Sequence, residues 1–269
     1  MTGHKSLNYL IEGYKKFKSS LNQNDIKFFK ELVEKGQKPK FLLISCSDSR
    51  VDPSYIMNCT PGDMFVIRNV ANLVPPCENN TTYHGTSAAL EFAISHLEVE
   101  HIIIFGHSNC GGIKYFVDQV IKSIRCGYNY NEENINSIID RRINYSDNFN
   151  YLKDTNKNDI SYANEEKYCL LGNSKFITKW LEIIDDLKDE VKKNLNNMTY
   201  ENLINYISQK AMLHSAKCLM SFPWIKEKAD AKKLKINIWQ FNLKEQSILI
   251  FNEKTNTYTD IENTILLDS

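Results

Sequence analysis

His101-Ile102-Ile103-Ile104-Phe105-Gly106-His107-Ser108-Asn109-Cys110-Gly111-Gly112 is the stretch whose reading decides the fold. Its first half is a short, continuous apolar run, which predicts a strand covered on both faces, as in a parallel sheet. The run leads straight into a loop that carries a histidine, a cysteine and two glycines. A second junction of the same kind lies upstream, where Phe41–Ser45 runs into Cys46-Ser47-Asp48-Ser49-Arg50. Met64–Ile67 is another apolar run, and Lys235–Leu243 a further predicted strand. Ser247–Phe251 is expected to follow it as a hairpin partner on a sheet edge. Between the strands, Gly85–Leu97 places Ala88, Ala89, Phe92, Ala93 and Leu97 at helical spacing. Strands separated by helices imply an α/β fold with a mostly parallel sheet and right-handed crossovers.

Further helices are predicted over residues 6–21, 174–193 and 199–220, and another starts with Asn24 or Asp25 as its cap and ends at Gly36. Leu7, Leu10, Ile11, Tyr14, Phe17 and Leu21 share one face of the first. Periodicity leaves open whether that face packs within the chain or on a second subunit. Residues 126–173 form a polar insertion; within them, 127–158 alone hold nine asparagines and four tyrosines. Residues 1–269 read as one domain that carries this insertion.

The 33 basic and 33 acidic side chains cancel, so composition gives no reason to expect a nucleic-acid partner. Ile102–Phe105 is far too short for a membrane span, and the N-terminus lacks the apolar core of a signal peptide. A cytoplasmic protein is the expectation. The seven cysteines include no C-x-x-C pair and are expected as free thiols or metal ligands. Cys59, Cys77, Cys126, Cys169 and Cys218 read as small buried hydrophobes.

Cys46, His107 and Cys110 are different because all three stand at strand-to-loop junctions. In an open parallel sheet the carboxyl ends of the strands form the edge where ligands bind, so residues far apart in sequence meet at one rim. Two thiolates and an imidazole suit Zn2+, and three protein ligands leave a fourth position open, as in catalytic zinc sites. Gly111 and Gly112 would let backbone approach closely. Asp48, beside this site, is either a fourth ligand or a hydrogen-bond partner of a bound water. Arg50 can hold it off the metal as a bidentate pair.

Cys46-Ser47-Asp48-Ser49-Arg50 together with His107-Ser108-Asn109-Cys110-Gly111-Gly112 resembles the paired signature of β-class carbonic anhydrases. Pro61–Asn72 and Gly85–Val99 resemble the connecting segments of that family. The resemblance implies a four-stranded parallel sheet plus a fifth antiparallel edge strand, flanked by helices, with the N-terminal helices packing on a partner subunit. It implies Cys46, His107 and Cys110 as zinc ligands and Asp48 and Arg50 as the catalytic dyad. Gln37, Phe65, Val70, Phe92 and Gly111 are then the substrate-binding residues. The implied reaction is reversible hydration of CO2 to bicarbonate, in a homodimer or a dimer of dimers. The alternatives are the same scaffold hydrolysing CS2 or COS, and a non-catalytic zinc-binding protein. Phe92 stands where the plant-like branch commonly has tyrosine. Leu43 stands where the bicarbonate-regulated branch has tryptophan. With Gln37 present, this makes the chain an open-site type, with Asp48 off the metal. His84, ahead of the helix beside the pocket wall, is a candidate proton relay.

Overall fold

A computed structural model describes residues 6–78, 83–127 and 175–263. Of the predicted insertion at 126–173, only the backbone of residues 126 and 127 is described, and the rest lies outside the described residues. The chain begins with α1 (Leu7–Ser20) and α2 (Gln23–Lys35). The cap of α2 is Asn22, not Asn24 or Asp25. Its Oδ1 accepts from the backbone N–H of both of those residues, and Asp25 returns a bond to the Asn22 N–H. Neither helix buries a residue within the chain. Leu7 and Leu10 are 73% and 66% exposed, so the apolar face of α1 is not part of the intrachain core.

β1 (Phe41–Cys46), α3 (Pro53–Ile56), β2 (Met64–Asn69), α4 (Gly85–Glu91), β3 (His101–His107) and α5 (Gly111–Gly127) follow. After the break come α6 (Lys175–Leu181), α7 (Lys188–Asn194), α8 (Tyr200–Leu219), α9 (Pro223–Asp230), β4 (Lys235–Asn242), β5 (Ser247–Asn252) and β6 (Thr257–Asp260). The described strands form one sheet of order β2-β1-β3-β4-β5-β6. The first four are parallel and the last two antiparallel. Thus β5 is antiparallel, as expected, but it is not the edge. The Thr257–Asp260 strand pairs outside it, with Tyr258 against Phe251.

The apolar runs become strands because both faces are covered. Leu42, Ile44, Ile102, Ile104 and Ile238 pack on one side with Leu90 and Ile94 around α4 and with Met212 and Leu219 of α8. Leu43, Ile103, Phe105 and Phe241 pack on the other with Val51. A further cluster joins α5, α6, α7 and α8 through Val117, Leu181, Val191 and Ile207.

Two predicted helices are interrupted. Residues 182–187 tighten into a 3-10 segment between α6 and α7. Leu181, Ile184 and Leu187 are all buried there, and their spacing of three matches three residues per turn. The helix predicted to run to Leu97 loosens into a π-turn over Phe92–His96, which leaves Phe92 43% exposed.

At Gly106 of β3, α8 approaches the sheet closely. A Cβ there would collide with Met212 Sδ and lie 3.1 Å from its Cγ, and Met212 is fully buried. Gly106→Ala is therefore expected to cost about 1–3 kcal/mol through overpacking, measured by urea denaturation of the zinc-loaded protein. A change within experimental error would show that Met212 repacks freely.

Candidate metal centre

Cys46 closes β1, His107 closes β3, and Cys110 sits just ahead of α5. β1 and β3 are adjacent and parallel, so their carboxyl ends reach the same rim. The ligand atoms of Cys46, His107 and Cys110 all lie within 4.8 Å of one another. The side chains are 4%, 0% and 0% exposed. The two sulfurs are 3.8 Å apart. Two thiolates sharing a tetrahedral zinc at about 2.3 Å would stand about 3.8 Å apart. The imidazole fits as well. His107 Nδ1 lies 2.9 Å from the Ser108 carbonyl, which fixes the proton on Nδ1. Nε2 is then left with its lone pair, buried and without a hydrogen-bond partner. A buried polar atom of this kind normally has a partner, and a metal supplies one. The donor set therefore fits zinc.

The two thiols titrate as a pair. The hydrogen bond to Cys110 pulls Cys46 below the ordinary thiol range, and the neighbouring His107 imidazole lowers it further. The same bond to Cys46, and then burial, pushes Cys110 up. One thiolate thus forms readily, and the second needs a cation.

Asp48 and Arg50 are brought together as expected. Arg50 Nε and Nη2 donate to Asp48 Oδ1 and Oδ2 at 2.9 and 2.7 Å, and the Arg50 N–H adds a bond of 3.0 Å to Oδ1. These bonds from Arg50 draw the carboxyl down to about 2. Asp48 Oδ2 is 3.8 Å from His107 Nε2, so it faces the metal ligands while tied to the guanidinium.

Val70 abuts the metal loop: a Cβ on Gly112 would come within 2.7 Å of its Cγ1. The close approach is thus at Gly112. Gly111 is exposed and meets nothing within 4 Å. Phe65 and Phe92 stack on each other, with centroids 5.9 Å apart. Gln37 is exposed on the link between α2 and β1, and among the described hydrogen bonds none joins it to the metal residues. Beside Val70 opens a cleft of about 650 Å3 lined by Asn69, Tyr83, His84, Phe176 and Trp180. Trp180 Nε1 donates to the Val70 carbonyl at 2.8 Å, fixing that wall.

Sequence reasoning missed Arg68. It donates to the carbonyls of Cys46, Asp48 and Val51 at 3.1, 2.8 and 2.8 Å, and so shapes the whole loop that carries Cys46 and Asp48. It also missed Asn205 and Ser208 of α8, which bond the Asn109 N–H and the His107 carbonyl. Backbone-directed bonds of this kind leave no local pattern.

The family profile described as carbonic anhydrase matches residues 41–169 and 167–248. The chain belongs to the carbonic anhydrase family, in its β class. Among curated relatives, it is 30% identical over 227 residues to β-carbonic anhydrase 5, chloroplastic, of Arabidopsis thaliana, covering 84% of this chain and 58% of that one. It is 29% identical over 224 residues to β-carbonic anhydrase 3 of the same plant, covering 83% and 68%. The chain therefore spans little more than half the length of the first of these relatives. Among solved structures, that of the β-carbonic anhydrase CcaA superposes with a TM-score of 0.70 at 26% identity, covering 94% of this chain and 91% of that one. In this β-class member, no helix among the described residues is long and apolar enough to cross a membrane.

Proposed function

We propose that the protein is a zinc enzyme that catalyses the reversible hydration of CO2 to bicarbonate and a proton. The observation that carries this reading is the buried trio itself: two sulfurs 3.8 Å apart and an unpartnered imidazole nitrogen, beside a carboxylate held by a guanidinium. Zinc, when bound by Cys46, His107 and Cys110, supplies a nucleophile at neutral pH by lowering the pKa of a water toward about 7. Asp48 offers an acceptor to the O–H of the attacking oxygen and so turns a lone pair of that oxygen toward carbon. Arg50 keeps Asp48 ionised and away from the metal. Val70, Phe65 and Phe92 give CO2 an apolar seat, and the Gly111 backbone borders it.

The assembly follows from what a single chain leaves exposed. The apolar face of α1, Phe92 and Gln37 all face outward. A homodimer, alone or paired into a tetramer, covers that face and brings Gln37 to a CO2 oxygen, where its N–H donates as charge develops. Thiolate ligands require reduced cysteines, which supports a reducing compartment such as the cytoplasm.

Exchange of 18O between labelled bicarbonate and water, followed by mass spectrometry of CO2, tests the reaction. Catalysed depletion of label by zinc-loaded protein is expected, with no release of hydrogen sulfide from CS2 or COS. Sulfide release without 18O exchange would move the reading to those substrates. For the proton path, His84→Ala is expected to slow exchange at low buffer concentration, with imidazole restoring it. An unchanged buffer dependence would remove His84 from that path.

A further inference from the structure

One stripe of α8 runs along the wall of the metal centre. Glu201, Asn205, Ser208, Met212 and Ser215 are three or four residues apart and share a helical face. Asn205 Oδ1 accepts the backbone N–H of Asn109 at 2.8 Å. Glu201 accepts from Asn109 Nδ2 at 3.3 Å and is itself paired with Lys244. Ser208 Oγ donates to the His107 carbonyl at 3.3 Å. Ser215 Oγ accepts the Val74 N–H at 3.2 Å. The residues at the outer end of the stripe thus converge on Asn109, between the two metal ligands of the loop.

Asn109 is also where Arg50 ends. Arg50 Nη2, already on Asp48, makes a bond of 3.2 Å to the Asn109 carbonyl. Asn109 holds a left-handed backbone conformation, with φ 54°. Asparagine tolerates that conformation better than other non-glycine residues, but its surroundings must still select it over the ordinary wells. The bonds from α8 to its N–H and side chain do so, and with φ fixed the carbonyl stays aimed at Arg50.

We propose that Asn205 is a positioning residue for the Asp48–Arg50 pair, acting through the Asn109 backbone. Glu201 supports the same loop through the Asn109 side chain. Without the Asn205 acceptor, Asn109 relaxes toward an ordinary backbone well and its carbonyl turns away from Arg50. Arg50 then loses one of its two anchors, and Asp48 loses its fixed aim. The proposal rests on the reading of Asp48 as the acceptor that orients the nucleophile.

The test uses zinc-loaded full-length protein labelled with 15N-arginine. The chain has five arginines, so the side-chain Nε–H signals are few. Arg68, whose Nε bonds the Cys46 carbonyl, serves as an internal control. Asn205→Ala is expected to shift the Arg50 Nε–H signal and speed its exchange with solvent, while the Arg68 signal and the zinc content stay as in wild type. Its kcat for CO2 hydration falls about tenfold or more with KM unchanged. Asn205→Asp, which keeps an oxygen acceptor for the Asn109 N–H, restores both the Arg50 signal and kcat. An Arg50 signal identical in Asn205→Ala and wild type would overturn the proposal, whatever the activity. So would loss of zinc or of the Arg68 signal in Asn205→Ala, or equal impairment of both variants, since each marks a merely structural role. Because the Arg50 signal is read without substrate, it decides the positioning role even if the wild type hydrates no CO2.

Discussion

Cys46→Ala leaves the protein with almost no zinc and with hydration at the uncatalysed rate, a loss of at least about a thousandfold. The remaining donors would be one imidazole and one thiol, and burial pushes that thiol up once its partner is gone. A single protonated thiol with an imidazole is a poor zinc site. The chain itself still folds, because Cys46 ends a strand whose apolar residues Leu42, Leu43 and Ile44 remain buried. Metal analysis after dialysis, with stopped-flow hydration on the same sample, checks the result. Thermal melting should fall as well, since zinc binds the folded state preferentially. Cys218→Ala is the control. Burial raises the Cys218 thiol to about 11, and among the described residues it belongs to no metal-ligand group, so zinc and activity should be retained.

Asp48→Asn keeps zinc and loses kcat by about a hundred- to a thousandfold, the range of a misplaced proton acceptor. Asparagine has the same shape and still accepts one bond from Arg50, but it presents an amide instead of a second acceptor oxygen. Zinc content should not change, because the three ligands are untouched. The pH dependence follows from the same pair. Arg50 draws Asp48 to about 2. A carboxyl depressed in the folded state contributes stability above its unfolded value of about 3.9. That contribution is lost progressively as pH falls from there through about 2. Asp48 is therefore ionised throughout the working range, and the wild-type rate should show no acid limb from its titration. The alkaline rise belongs to the nucleophile. Arg50→Ala frees the carboxylate to reach the metal, so its activity should be confined to alkaline pH; a profile parallel to wild type would show that Arg50 does not hold Asp48 off.

The fold was legible where apolar runs are continuous. Phe41–Ser45 and His101–Phe105 read as doubly covered strands and are so, within Phe41–Cys46 and His101–His107, and Cys46, His107 and Cys110 meet at one rim. Thr257–Asp260 was not legible as a strand. It is short and polar, and its burial alternates only because it pairs with β5 at the sheet edge. The 3-10 segment at residues 182–187 was hidden because an apolar spacing of three also fits a helix. For α1, periodicity found the apolar face but could not show that, among the described residues, none of it is buried. At the site, ligand types and spacing carried the metal reading, while Arg68 and Asn205 act on carbonyls and N–H groups brought near only by the fold.

Stopped-flow hydration of CO2 from about pH 6.5 to about pH 9, on protein of measured zinc content, tests the central claim most directly. Near one zinc per chain is expected, with a rate that is present at neutral pH and rises smoothly into the alkaline range. Full zinc with no hydration below about pH 8 would contradict the placing of Asp48 off the metal, and full zinc with no hydration at any pH would contradict the function itself.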